Sequence, residues 1–188
     1  MKITITGPRS VGKTTISKIV AEKLGLDYVS SDEIGEKAMN SQGGLDKAIK
    51  SGAIDSFIKD SAYGLIREVY ENKNDFVFDL SGGSISSKKF SEASEKVRKK
   101  AKESSIIIGL LVCENQEKSI EILFEREKQR EHFKNMDEQE LFEKVKKDYP
   151  KFEPIFNDIC NKIIYIKDKT SEEVAEEVVE LIRSLQKE

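Results

Sequence analysis

The sequence predicts an α/β fold in which a parallel sheet is covered by helices on both faces. Short β-rich apolar runs alternate with longer segments of helical period, the pattern such a layered sheet leaves in a chain. A glycine-rich turn joins the first apolar run to the first helical one. With 188 residues, 37% of them hydrophobic, the chain is long enough for one well-buried core, so a single domain over 1–188 is expected.

The first strand covers 2–6, where Ile and Thr alternate. The helix after it places Ile16, Ile19, Val20 and Leu24 on one stripe and is closed by Gly25. A short second strand at 27–29 follows. Ile54, Phe57, Ile58, Leu65, Ile66, Val69 and Tyr70 then keep a helical period up to a third strand at 76–80. Phe90, Ala93, Val97 and Ala101 mark the next helix, and 106–112, with its run IIIGLLV, reads as a fully buried fourth strand. Ile120, Leu123 and Phe124 continue on a helical face. The segment at about 125–151 differs, being dense in charge with thinly spaced apolar residues, and reads as a mobile lid insertion. A fifth strand at 162–166 precedes a last helix with the stripe Val174, Val178, Leu181, Ile182 and Leu185. Its start, TSEE at 170–173, has capping-box spacing.

Charge excludes some functions. Lys and Arg number 32 against 35 Asp and Glu, a net charge of −3 with the signs interleaved, which argues against a nucleic-acid or membrane surface as partner. A basic stripe or aromatic platform for nucleic acid is missing too. Cys113 and Cys160 stand far apart, outside CxxC or Cys/His ligand spacing, so neither a disulfide framework nor a zinc site is signalled. The start shows no basic region before an apolar run, and no stretch approaches the roughly 18 apolar residues of a membrane span. The expected compartment is a reducing cytoplasm.

The turn itself, GPRSVGKT at 7–14, fits G-x-x-x-x-G-K-[ST] and lies between a strand and an amphipathic helix, where that pattern holds phosphate. Gly7, Pro8, Arg9, Ser10, Val11, Gly12, Lys13, Thr14 and Thr15 are therefore the candidate nucleotide site. Gly7 and Gly12 would let backbone N–H groups turn inward around a β-phosphate, and the helix start adds its positive end. Lys13 would bridge the β- and γ-phosphates, and Thr14 would place its hydroxyl on Mg²⁺. The ligand implied is ATP or GTP with Mg²⁺.

What receives the phosphoryl group is read from the other strand ends. YVSSDEIGE at 28–36 follows the second strand at the carboxyl edge of the sheet, where ligands bind. Asp32 could orient an acceptor hydroxyl and take its proton, or hold a metal-bound water. The competing reading is a plain helix start with Ser30 or Ser31 as N-cap. Asp79 ends an apolar strand, where an unpaired carboxylate would be costly, so Mg²⁺ or Lys13 is its expected partner. Gly82 and Gly83 either let backbone approach the acceptor or make a plain turn. Arg126 and Arg130, four apart, would share a helical face on a closing lid and stabilise transferring charge. A solvated helix face is the alternative for them and the favoured reading for Lys128 and Lys134. His132 is the one histidine and stands without a Ser or Cys nucleophile motif. Lys146, Lys147 and Tyr149 are placed to face the ligand on closure.

The succession of this loop, YVSSDEIGE, SGGS and an Arg-bearing lid resembles shikimate kinase, in the nucleoside-monophosphate-kinase-like branch of P-loop folds, over most of the chain. The resemblance implies a five-stranded parallel sheet in the order 2-3-1-4-5 and transfer of the γ-phosphoryl of ATP to a hydroxyl of a small carboxylic acid. It puts ATP and Mg²⁺ at Lys13 and Thr14, the acceptor hydroxyl at Asp32, the acceptor loop at Gly82 and Gly83, and the lid's adenine-side and phosphate-side arginines at Arg126 and Arg130. Ser30 stands where that family has the first aspartate of D-x-D, and Ser84 where it has a third glycine. The lid reads REHF where the family has arginine-proline. Phe57 is followed by Ile58 and Lys59, where the family has an arginine on the acceptor carboxylate; Lys does not grip a carboxylate bidentately. The acceptor is thus left unnamed. The N-terminal third also resembles archaeal-type cytidylate kinase, which would make CMP the acceptor and recruit Arg67, Arg98, Arg126 and Arg130. A third reading is an NTP-binding or hydrolysing regulator in which Asp32 and Asp79 serve Mg²⁺ and a water. The expected protein is an ATP-dependent phosphotransferase with a small-molecule acceptor, working as monomer or homodimer.

Overall fold

The computed structural model describes residues 1–134 and 136–185; the side chains of Gln42, Leu45, Asp46, Lys50 and His132 lie outside that description. Strands β1 (Lys2–Gly7), β2 (Asp27–Ser30), β3 (Phe76–Ser81), β4 (Ile106–Leu111) and β5 (Lys162–Tyr165) form one parallel sheet in the order β2-β3-β1-β4-β5. All five lie where the sequence places them, with ends displaced by one residue, and the order is the one the resemblance implies. The helices are α1 (Lys13–Leu24), α2 (Ser31–Ala38), α3 (Leu45–Ser51), α4 (Ala53–Phe57), α5 (Tyr63–Asn72), α6 (Gly82–Ser86), α7 (Ser91–Ser104), α8 (Gln116–Lys128), α9 (Glu138–Asp148), α10 (Phe152–Ile159) and α11 (Ser171–Leu185).

Side chains of the central strands alternate between two covered faces. On β3, Phe76 and Phe78 meet the Tyr70 ring of α5 at centroid distances of 6.0 and 5.5 Å, while Asp79 turns to Thr14 of α1. Thr4 of β1 is fully buried yet satisfied, its hydroxyl lying 2.9 Å from the Tyr70 hydroxyl and 2.7 Å from Ser105 Oγ. Helices α1 and α11 pack together on one face; α7 packs with α5, α6 and α10 on the other. The β1–β3 register pairs Gly7 with Ser81, so both strands end at one edge and deliver their loops to one place.

The helix expected over 54–70 is instead α4, a π-helical turn at Ile58–Ala62, and α5. A π turn widens the helix by one residue and rotates the turns beyond it, so the stripe is not continuous; only Ile66, Val69 and Tyr70 of it are buried. Leu185, counted on the last core stripe, is exposed. The charge-dense segment holds the end of α8, all of α9, and buried Phe133, Leu141 and Tyr149, with Phe124 edge-on to Phe142 at 5.3 Å. Its sparse apolar residues converge in space because α8 and α9 pack side by side.

The capping box is formed: the Thr170 N–H donates to Glu173 Oε2 at 2.7 Å and the Glu173 N–H to Thr170 Oγ1 at 3.2 Å. Thr170→Ala is expected to lower unfolding stability by about 1 kcal/mol, read as a shifted urea midpoint at constant slope.

Candidate active site

The loop after β1 turns at residues other than the two expected. A Cβ on Gly7 would lie 2.7 Å from the Leu110 carbonyl oxygen and 2.9 Å from Val11 Cγ1, so glycine is required there by close packing. Positive φ values fall on Ser10 (61°) and Gly12 (97°), which makes Ser10 the second turning residue in place of Gly7. Val11 between them is buried. Gly12 caps α1, so Lys13, Thr14 and Thr15 open the helix, and the first intrahelical bond runs from the Ile16 N–H to the Gly12 carbonyl at 3.1 Å. First-turn N–H groups have no intrahelical partner and lie at the positive end of the dipole, the combination that holds phosphate. The Lys13 ammonium donates to the Pro8 carbonyl at 3.0 Å, arching over the loop.

Asp79 is buried, 4% exposed, and paired. Its Oδ2 accepts from Thr14 Oγ1 at 2.7 Å and from the Tyr28 hydroxyl at 3.1 Å. Burial, then the charge of Asp79, pushes the Tyr28 phenol up to about 12, so it remains a donor at neutral pH. Thr14 and Asp79 together offer hard oxygen ligands at the start of α1. That donor set fits Mg²⁺, which takes one or two protein oxygens and completes its shell with phosphate and water; no cluster of three or more His, Cys, Asp or Glu able to hold a metal occurs among the described residues.

Ser30 and Ser31 divide two tasks. Ser30 is the N-cap of α2, accepting from the Glu33 N–H at 3.3 Å, so Asp32 falls in the first turn with its carboxylate free of capping. Ser31 donates to the Asp79 carbonyl at 3.2 Å and accepts from the Ser81 N–H at 2.8 Å, tying α2 to the end of β3. Asp32 is held above the ordinary carboxylate range chiefly by desolvation; Asp79 raises it further, against Lys13, Arg130 and Arg9. Lys13 is lowered, again first by desolvation, with Asp79 and Asp32 opposing that and Arg9 and Arg130 adding to it. Lys13, Asp32, Asp79, Arg9 and Arg130 thus share one electrostatic field.

Gly82 and Gly83 differ. A Cβ on Gly82 would lie 2.3 Å from the Gly7 carbonyl oxygen and 2.9 Å from the Phe152 ring, whereas on Gly83 the nearest atom would be Ser81 Oγ at 3.7 Å. Gly82 therefore sets the approach of α6 to the loop. Gly82→Ala is expected to cost about 1–3 kcal/mol of stability, with Gly83→Ala close to neutral in the same urea titration.

Arg126 and Arg130 share no helical face, because α8 stops at Lys128 and Arg130 is extended (φ −84°, ψ 138°). Both still reach the loop region. Arg126 donates to the Ser10 carbonyl at 3.2 Å, and the Arg130 guanidinium lies 4.0 Å from Glu127. Glu127, which sequence reasoning missed, also touches the loop. It is 3% exposed, accepts from the Ser10 hydroxyl and lies 3.7 Å from Arg9. Its signal was present: Ile120, Leu123 and Glu127 form one buried stripe, and a carboxylate on an apolar stripe needs partners. Tyr28 and Ser31 were missed as well. Lys147 lines a separate hollow of about 470 Å³ with Ser86, Lys88, Arg98 and Lys151, while Tyr149 is buried away from solvent. Arg67 pairs with Glu71 at 3.5 Å and Arg98 donates to the Ile85 carbonyl at 2.6 Å, so these two are engaged elsewhere.

A family model described as shikimate kinase matches residues 9–183. A shikimate kinase of Thermodesulfovibrio yellowstonii is 28% identical over 180 residues, 94% of this chain and 92% of that one. A cytidylate kinase of Archaeoglobus fulgidus is 59% identical over only 34 residues, 18% of this chain and 19% of that one. In fold, a shikimate kinase from Acinetobacter baumannii solved in complex with shikimate superposes with a TM-score of 0.72 at 19% identity, covering 97% of this chain and 93% of that one.

Proposed function

The chain belongs to the shikimate kinase family, and from that premise we propose that it moves the γ-phosphoryl group of MgATP to a hydroxyl of a small-molecule acceptor. The observation that carries the proposal is the grouping of Lys13, Asp32 and Asp79 in one field around a loop of phosphate-holding shape. The amides of Gly12, Lys13, Thr14 and Thr15, with those of Arg9 to Val11 before them, bind the phosphates, and Lys13 adds its charge across β and γ. Thr14 and Asp79 hold Mg²⁺, which when bound neutralises charge on the phosphate oxygens. Asp32 orients the acceptor hydroxyl and takes its proton; its raised pKa brings it closer to the strength a general base needs at neutral pH. Gly83, with no side chain of its own, lets the acceptor come close to the backbone. Arg126 and Arg130 stand over the transferring group and offset its charge.

The acceptor is a small hydroxylated compound. Shikimate is the compound bound in the A. baumannii complex and the first to test here, although Lys59 in place of an arginine weakens the grip on its carboxylate. A nucleoside monophosphate is the second reading, favoured by the local identity with cytidylate kinase; that identity spans 34 residues, and Arg67 and Arg98 are committed to other partners. We place the protein in the cytoplasm, where MgATP is available; no described helix is long and apolar enough to cross a membrane. The deciding measurement is ADP release from MgATP, alone and with shikimate, CMP, other nucleoside monophosphates and small hydroxy acids. Stimulation by one compound names the acceptor. Equal ADP release with and without every compound would favour an NTP-hydrolysing regulator and overturn the kinase proposal.

A further inference from the structure

The last turn of α8 grips one residue of the phosphate loop from two sides. Glu127 accepts the Ser10 hydroxyl, and its neighbour Arg126 donates to the Ser10 carbonyl at 3.2 Å. Ser10 is the loop residue with the unfavourable backbone: φ is 61°, a left-handed conformation that a residue with a Cβ adopts reluctantly. Glu127 is itself a buried carboxylate with no part in the proposed transfer, and a carboxylate buried there needs hydrogen-bonding and charged partners. It also lies 3.7 Å from Arg9 and 4.0 Å from Arg130, which come from the loop and from just beyond α8. They supply the opposite charge that makes its burial tolerable.

We infer that Glu127 is a positioning residue: by anchoring Ser10, it holds the crest of the loop in the left-handed turn that aims consecutive backbone N–H groups at an anion. Runs of N–H groups created by such turns form anion-binding concavities, and their affinity depends on being preformed. A glycine at this position could adopt the turn unaided; here a serine does so with a carboxylate from 117 positions away. The inference rests on the reading that the loop binds the phosphates of a nucleotide.

The test is calorimetric titration with MgADP and MgATP, alongside thermal melting. Glu127→Ala is expected to weaken nucleotide binding by about five- to thirtyfold, the factor matching the intrinsic reluctance of a non-glycine residue to take this conformation. Adding Ser10→Gly to that variant should recover most of the loss, since glycine needs no anchor; a role confined to stabilising α8 would not be rescued this way. If Glu127→Ala fails to fold, Ser10→Ala carries the test, because it removes the anchored hydroxyl and leaves Glu127 with its arginines. It should weaken binding by a similar factor. Unchanged or tighter binding in the alanine variants, or a double variant no better than Glu127→Ala, overturns the inference while wild-type binding upholds the nucleotide reading. Absence of binding by the wild-type chain overturns both.

Discussion

Lys13→Ala is expected to lower kcat/KM for acceptor-dependent ADP release by about 10²–10³-fold, the scale on which a single preorganised charge or donor acts on a developing charge. The ammonium is already held at the loop by its bond to the Pro8 carbonyl at 3.0 Å. The same residue is a burden to the folded state. Its pKa is lowered from 10.5, chiefly by desolvation, so the fold disfavours the charged form. The unfolded chain then holds more protons than the native one between the lowered value and 10.5, and stability rises with pH through that window. The alanine variant should therefore melt at pH 7 no lower than the wild type while losing activity. Undiminished turnover would remove Lys13 from the mechanism.

Asp32→Asn is expected to leave MgATP binding intact and to reduce transfer by about 10²–10⁴-fold, the range of a positioned general base. In the wild type, kcat/KM should fall as pH drops through the raised pKa of Asp32, placing the acid limb of the profile above the carboxylate reference of 3.8. The asparagine variant should lack that limb. Stability responds to the same shift. A folded pKa raised above the unfolded one gives a contribution that is complete below 3.8 and lost as pH rises through the folded value, so the charged carboxylate is the form the fold disfavours. Asparagine should melt no lower than the wild type above that window. A variant that transfers at the wild-type rate, or that loses nucleotide binding along with transfer, would displace Asp32 from the role of base.

Features legible in the sequence were those written in neighbouring residues. The G-x-x-x-x-G-K-T spacing placed Lys13 and Thr14 at the start of α1, and the TSEE spacing formed its reciprocal cap. Asp79 was legible as a buried carboxylate in need of a partner. Its partners were less so, since Tyr28 lies on a different strand and reads there as one more β-former. The expectation of a shared helical face for Arg126 and Arg130 failed because α8 ends between them, an event that no glycine or proline announces. Ser10 carries no such local signal: its left-handed backbone comes together with contacts to Arg126 and Glu127 from far along the chain, which the neighbouring residues do not display.

By itself the sequence determined the five strands, the phosphate loop and the capped last helix, because two-residue and 3.6-residue periodicity and terminal hydrogen bonds act within a few positions of the chain. Only the tertiary structure decided which side chains meet at the edge of the sheet. Asp79 finds Thr14 at a separation of 65 positions and Tyr28 at 51, and Glu127 finds Ser10 at 117. Those meetings depend on strand order and on where α8 stops, and both result from packing among elements distant in sequence, which leaves no local periodic signature.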